Sequence, residues 1–218
     1  MKIFLLLLTL FTTCSAGASR GLLLKSLLFP EDSDSGYVVV QPKQPMRLRA
    51  FTLCAKILTD SQQTMSIFSY ATSAHHNQIL LEVANGWLRL HLAGTRVDFR
   101  APMSSVGWTP ICVTWDGQTG LSEAWVHGKR TVAKNSNERR EVVAEGVVIL
   151  GQDQDSVGGG FNRKQRYVGE LTDLNLWDSV LCKSEMPVSS RRERGNVIGW
   201  ADINYGIKGN VTIINPDE

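Results

Sequence analysis

The chain has 218 residues, 43% hydrophobic and 20% charged, with 23 lysine and arginine side chains against 21 aspartate and glutamate. A chain of this size and composition buries roughly two-thirds of its unfolded surface, which excludes intrinsic disorder as the main state and argues against repeat arrays and long tails. A formal net charge of +2 gives no whole-molecule field to hold nucleic acid or a membrane surface, so any ligand must be held by local chemistry.

At the N-terminus Lys2 supplies one positive charge, Ile3 to Phe11 is apolar at every position except Thr9, and the small residues Ser15-Ala16-Gly17-Ala18 follow. This is the layout of a secretory signal peptide, with cleavage expected after Ala18 or, alternatively, Ala16. The run is about half of the roughly 20 apolar residues a membrane span needs, and nothing later in the chain is a better candidate. The expected organisation is therefore a signal at 1–18 and one exported domain at 19–218.

From there β-rich runs dominate: Tyr37–Gln41, Arg47–Leu58, Met65–Ala71, Gln78–Val83, Trp87–Leu92, Val97–Phe99, Ile111–Trp115, Ser122–Val126, Val142–Leu150, Arg166–Trp177, Val197–Ile203 and Val211–Ile214. Turn signals at Asn85-Gly86, Asp116-Gly117, His127-Gly128 and Gly158-Gly159-Gly160 separate them. Leu88, Leu90 and Leu92 alternate with Arg89 and His91, the period of two of a half-buried strand. The spacing predicts an all-β antiparallel sandwich. At most one short helix is expected, within Lys183–Glu193, where Pro187 limits its length.

Loss of the signal removes Cys14 and leaves Cys54, Cys112 and Cys182. An oxidising compartment favours one bridge and one odd thiol. Cys54 and Cys112 both sit in strand-like runs that could lie side by side. Cys182 follows an apolar stretch and is either buried and inert or exposed and linked to another chain. Asn210-Val211-Thr212 is an N-glycosylation sequon, meaningful in an exported chain.

The segment Gly151 to Gln165 concentrates oxygen donors around glycines, the composition of a calcium loop, although its spacing is not that of the helix–loop–helix motif. A polar hairpin is the alternative. Asp153 and Asp155 are two apart and share a face of an extended stretch, with a Gln154 carbonyl between them. The glycines do not make a phosphate loop, since no Gly-Lys-Ser/Thr opens a helix after them. No serine stands in a G-x-S-x-G elbow, and no run of alternating carboxylates suits a glycosidase, so no enzyme is expected. Successive side chains His75 and His76 cannot share one metal from a regular strand, and a solvated turn is expected there.

Cys112-Val113-Thr114-Trp115 fits the core of the pattern His-x-Cys-x-[Ser/Thr]-Trp-x-[Ser/Thr] that marks the pentraxins, with Pro110 in place of the His and Gly117 in place of the last hydroxyl residue. Phe51-Thr-Leu-Cys54, Ile67-Phe-Ser-Tyr-Ala-Thr72, Val148-Ile-Leu-Gly-Gln152, Gln154-Asp-Ser156, Gly158-Gly159 and Val168-Gly-Glu-Leu171 with Leu176-Trp-Asp178 also resemble the short pentraxins, so that the likeness runs from Leu28-Phe-Pro30 onward. The resemblance implies a flattened jelly-roll, lectin-like sandwich, a Cys54–Cys112 disulfide, a cyclic ring usually of five protomers, and a calcium-dependent face on which paired cations are bridged by the phosphate of a phosphocholine or phosphoethanolamine head group.

Carried over position by position, the resemblance makes Asn77, Asp153, Gln154, Asp155 and Gln165 the calcium ligands, with His76 and Asn162 standing where acids are expected. Four carboxylates become two, and one weakened inner site at Asn77, Asp153, Gln154 and Asp155 is expected to survive. In the head-group pocket Glu82 takes the position of an apolar or aromatic residue and Arg96 lies near that of an acid. The expected function is secreted pattern recognition in innate immunity, of acute-phase type, through multivalent binding of phosphate- or glycan-bearing ligands on microbes or damaged cells. The alternative is a calcium-independent scaffold for proteins or glycans.

Overall fold

The computed structural model describes residues 21–31, 35–104, 106–186 and 194–215. The expected signal and the stretch 187–193 lie outside the described residues. In chain order the strands are β1 (Ser26–Phe29), β2 (Tyr37–Gln41), β3 (Ala50–Leu58), β4 (Met65–Ala71), β5 (Ile79–Ala84), β6 (Trp87–Leu92), β7 (Thr95–Arg100) and β8 (Thr109–Asp116). There follow β9 (Leu121–Val126), β10 (Lys129–Arg130), β11 (Lys134–Asn135), β12 (Val147–Leu150), β13 (Gly169–Trp177), β14 (Asn204–Lys208) and β15 (Thr212–Ile214). The described residues contain no α-helix, only two short 3-10 turns at Arg163–Gln165 and Trp200–Asp202.

All pairings are antiparallel and make two sheets. One runs β14-β2-β12-β4-β5-β6-β7, the other β10-β9-β8-β3-β13-β1-β15 with β11 also on β9. Register explains the core. In the seven-stranded sheet Phe68, Leu81, Leu90 and Val97 stand opposite one another across β4 to β7, and all four are buried. Phe51, Leu53, Val113 and Trp115 of β3 and β8 answer them from the other sheet. Each such side chain removed from water stabilises the fold by about 1.5–3 kcal/mol. Trp115 also donates its indole N–H to the Glu138 carbonyl at 3.0 Å, so its polar edge is satisfied.

Cys54 and Cys112 are direct partners in the β3–β8 ladder and form a disulfide. The alternation along β6 holds, with leucines buried and Trp87, Arg89 and His91 partly exposed on the outer face. In β4 and β5 it fails, because every residue of both strands is buried. Their outer-face residues Ser66, Ser69 and Glu82 are covered although they do not face the core.

Several expected boundaries move. The strand expected at Val142–Leu150 is confined to β12, because Val142 pairs only with Leu48 and the chain then turns at Glu145, φ +70°. The strand expected at Val197–Ile203 reduces to a single bridge, Ile198 with Leu176, followed by the second 3-10 turn. There Asn175 Oδ1 accepts both the Gly195 and Trp200 N–H groups, replacing a ladder partner. Residues 182–186 form a turn, with Glu185 and Met186 N–H both donating to the Cys182 carbonyl.

Candidate functional site

The segment after β12 folds back over the outer face of the seven-stranded sheet. It starts at Gly151, whose φ of +89° and contact with the Phe29 ring, 2.2 Å from where a Cβ would stand, admit no side chain. It closes at its base where the Tyr167 N–H donates to the Gly151 carbonyl at 2.9 Å. At its tip Ser156 and Gly159 exchange backbone hydrogen bonds of 3.2 and 2.9 Å.

Gln154 fastens this loop to the sheet. Its amide nitrogen donates to the carbonyls of Ser69 and Val147, both at 3.0 Å, and to Ser69 Oγ at 3.2 Å. Its amide oxygen accepts the Gly158 N–H at 2.8 Å. The side chain is fully buried, so the oxygen Gln154 can offer a ligand is its backbone carbonyl. Sequence reading assigned Gln154 a ligand carbonyl and missed this anchoring role.

Asp153 is 3% exposed. Gln165 Nε2 donates to its Oδ2 at 2.6 Å, whereas its buried Oδ1 has no hydrogen-bond partner. Burial pushes its pKa up to about 6, helped by the carboxylates of Glu82 and Asp155 and opposed by His91 and His76. His76 and Asn77 belong to the turn between β4 and β5, where His76 is exposed. Asn77 Oδ1 is likewise buried without a hydrogen-bond partner. Asp155 is exposed at the loop tip. Asn162 points its oxygen at the Lys164 N–H, 3.0 Å away, and caps the 3-10 turn that carries Gln165.

The donor set is therefore two carboxylates, amide oxygens and a backbone carbonyl, all hard oxygens of the kind calcium takes. Two buried acceptors without donors, Asp153 Oδ1 and Asn77 Oδ1, are the atoms a cation would satisfy. Among the described residues no three His, Cys, Asp or Glu side chains converge as a metal cluster. A cation here depends on amides and backbone for most of its shell.

Beside the loop, Glu82 is buried and its Oε2 lies 2.8 Å from His91 Nε2. The two are diagonal neighbours, since Glu82 stands opposite Arg89 and Leu80 opposite His91. This pairing was legible only in part, because periodicity places His91 on the outer face but not its register against β5. Arg96 is exposed, with its Nε 3.1 Å from Asp98 Oδ1. Cys182 is a free, exposed thiol 3.0 Å from Ser184 Oγ. Asn210 is exposed in the turn between β14 and β15. No helix among the described residues is long and apolar enough to cross a membrane.

The Pentaxin family model matches residues 25–216. A mucosal pentraxin of Mus musculus is 39% identical over 190 residues, covering 87% of this chain and 86% of the relative. A C-reactive protein of Cavia porcellus is 36% identical over 219 residues, covering 98% and 96%. Among solved structures, the native heptameric SAP-like pentraxin of Limulus polyphemus superposes with a TM-score of 0.78 at 26% identity, over 87% of this chain and 94% of that one.

Proposed function

Since the chain belongs to the pentaxin, or pentraxin, family, we propose that it is a secreted, ring-forming protein that binds phosphate- or glycan-bearing surfaces through calcium. The family is one of non-enzymatic recognition proteins, and the chain is accordingly a recognition protein and not an enzyme. Secretion rests on the leader-like segment at 1–18. Ring assembly rests on the heptameric relative, with a pentamer expected here.

The observation that carries the reading is two buried, unpartnered oxygens, Asp153 Oδ1 in the loop anchored on one sheet face and Asn77 Oδ1 in the turn between β4 and β5. Asn77, Asp153, Asp155 and the Gln154 carbonyl would hold the ion, with Gln165 as an outer ligand. When bound, calcium supplies the positive charge that a near-neutral chain lacks, and to which an anionic ligand oxygen binds. Asp153 supplies the buried negative charge and Gln154 keeps the loop in place. Glu82, already paired with His91, narrows the room for a choline group beside them. A ring of five such sites on one surface can exceed single-site affinity by about 10²–10⁴.

A calcium-independent scaffold is the second reading, favoured by the 2.6 Å bond in which Gln165 already satisfies one Asp153 oxygen. Retention of the mature protein on phosphocholine-agarose and plain agarose, with calcium and with chelator, separates the two. Release by chelator from a ring-sized particle in light scattering supports the first reading. Binding that ignores calcium, or no binding, transfers the function to the second.

A further inference from the structure

We propose that a cavity at the far end of β4 and β5 from the turn of Asn77 is a calcium-independent site for one neutral sugar residue. Met65, which begins β4, and Ala84, which ends β5, both line it, whereas the turn carrying Asn77 joins the opposite ends of the same strands. The length of β4 therefore separates the two places by about 20 Å. The cavity shares no residue with the calcium reading and does not depend on it.

Its volume is about 240 Å³, and three backbone segments wall it. On the β3–β4 connection Thr59 Oγ1 accepts the Ser61 N–H at 3.1 Å, and Ser61 Oγ accepts the Gln63 N–H at 3.3 Å. At the β5–β6 hairpin Asn85 and Gly86 take φ of +45° and +76°, and the Gly86 carbonyl accepts the Ala101 N–H at 2.9 Å. On the β7–β8 connection Thr109 Oγ1 accepts the Ser104 N–H at 3.3 Å. Each wall is held by the protein's own bonds, so the shape exists before anything binds.

The lining selects by elimination. Gln62, Gln63 and Asn85 are exposed, and none of their carboxamides makes a hydrogen bond among the described residues. Thr59 is only 8% exposed, and its O–H finds as acceptor just the Met65 sulfur, 3.9 Å away. Met65, Val83 and Ala84 are buried and give the cavity an apolar side. No charged side chain among the described residues lines it. An ion would leave water here with nothing to pair it. A wholly apolar group would cover the carboxamides and the Thr59 hydroxyl and leave them unpartnered. A neutral ring with hydroxyls along its edge and C–H groups on its face satisfies both sides. Each carboxamide presents a donor beside an acceptor, which two adjacent sugar hydroxyls can answer together.

The test uses the intact assembled protein in chelator, which silences any calcium site. The probes are the methyl glycosides of glucose, galactose, mannose and N-acetylglucosamine, followed by saturation-transfer NMR and titration calorimetry. The variants are Gln62→Ala/Gln63→Ala, whose side chains are exposed, and Asn85→Gly, which keeps the left-handed turn and removes the carboxamide. At least one glycoside should bind the wild type equally with calcium and with chelator, and its affinity should fall at least about fivefold in each variant. No glycoside binding in chelator, or binding that is unchanged in either variant, overturns the site. An acetylated dipeptide amide that binds better than every glycoside overturns the sugar assignment and makes the cavity a peptide site. Calcium-dependent retention on phosphocholine-agarose, measured on the same variants, should be unchanged, so that failure of the calcium reading and failure of this one are read separately.

Discussion

Protonation of Asp153 should compete directly with calcium. Its carboxyl sits at about 6 where the ordinary value is 3.8, chiefly because it is buried and secondly because Glu82 and Asp155 face it. Only the ionised form binds the ion, so the apparent dissociation constant scales as one plus the ratio of protonated to ionised Asp153. With a pKa of about 6 the factor is about 1.1 at pH 7 and about 11 at pH 5, a tenfold weakening over two pH units. An aspartate at its ordinary value would change by under about a tenth over that range. Near pH 6 the binding of each ion should release about half a proton, read from titrations in buffers of different ionisation enthalpy. Glu82→Gln removes one cause of the shift and should move the midpoint to lower pH. Without calcium the same shift acts on the fold with the opposite sense. The raised pKa contributes stability that is fully present below pH 3.8 and is lost as pH rises through about 6, at most about 3 kcal/mol and less after solvent screening. Isothermal titration at pH 5, 6 and 7 is the assay. Equal affinity at pH 5 and pH 7 would refute the assignment of Asp153 as the buried ligand.

Removing the loop anchor by Gln154→Ala strands the acceptors at Ser69 and Val147 and the Gly158 N–H, and should cost about 2–4 kcal/mol in urea unfolding together with loss of calcium binding. Replacing Cys54 and Cys112 together by Ala releases a constraint between residues 58 apart and should lower stability by about 4 kcal/mol, seen as a lower urea midpoint under oxidising conditions. Protein secreted from eukaryotic cells should carry a glycan at the exposed Asn210, giving a mobility shift on peptide-N-glycosidase treatment that Thr212→Ala abolishes. Unchanged mobility of the wild type would show the sequon unused.

Much of the architecture follows from local pattern. Tyr37–Gln41, Met65–Ala71 and Trp87–Leu92 have the limits expected, because apolar alternation or a β-branched run there is cut off by turn residues. Ser26–Phe29 was not expected as a strand, since four residues without alternation give no period to detect. Asn204–Lys208 was missed because Gly206 interrupts it, and it is a strand only through its register with β2. The chemistry divides in the same way. Oxygen-rich composition marked the loop after β12, but composition says nothing about which oxygens remain unpaired. That depends on Gln165 reaching Asp153 across twelve residues and on Glu82 meeting His91 diagonally between strands. Such pairings come from register and loop closure, which no window of neighbouring residues contains.

The eight-stranded sheet seats β1 between β13 and β15. Ser26 stands opposite Ile214 and Leu27 opposite Leu171, so the first strand finds its partners only near the far end of the polypeptide. A ribosome must deliver almost the whole chain before that strand has anything to bond to. Meanwhile Leu27 and Phe29, fully buried in the finished molecule, wait in solvent. Completion is then a late, long-range event that pays its loop-closure entropy at the last step, the kind of topology that folds slowly and is exposed to aggregation while it waits. Under the proposed export, that delay would fall after entry into the secretory lumen, where chaperones and oxidising thiol chemistry are at hand.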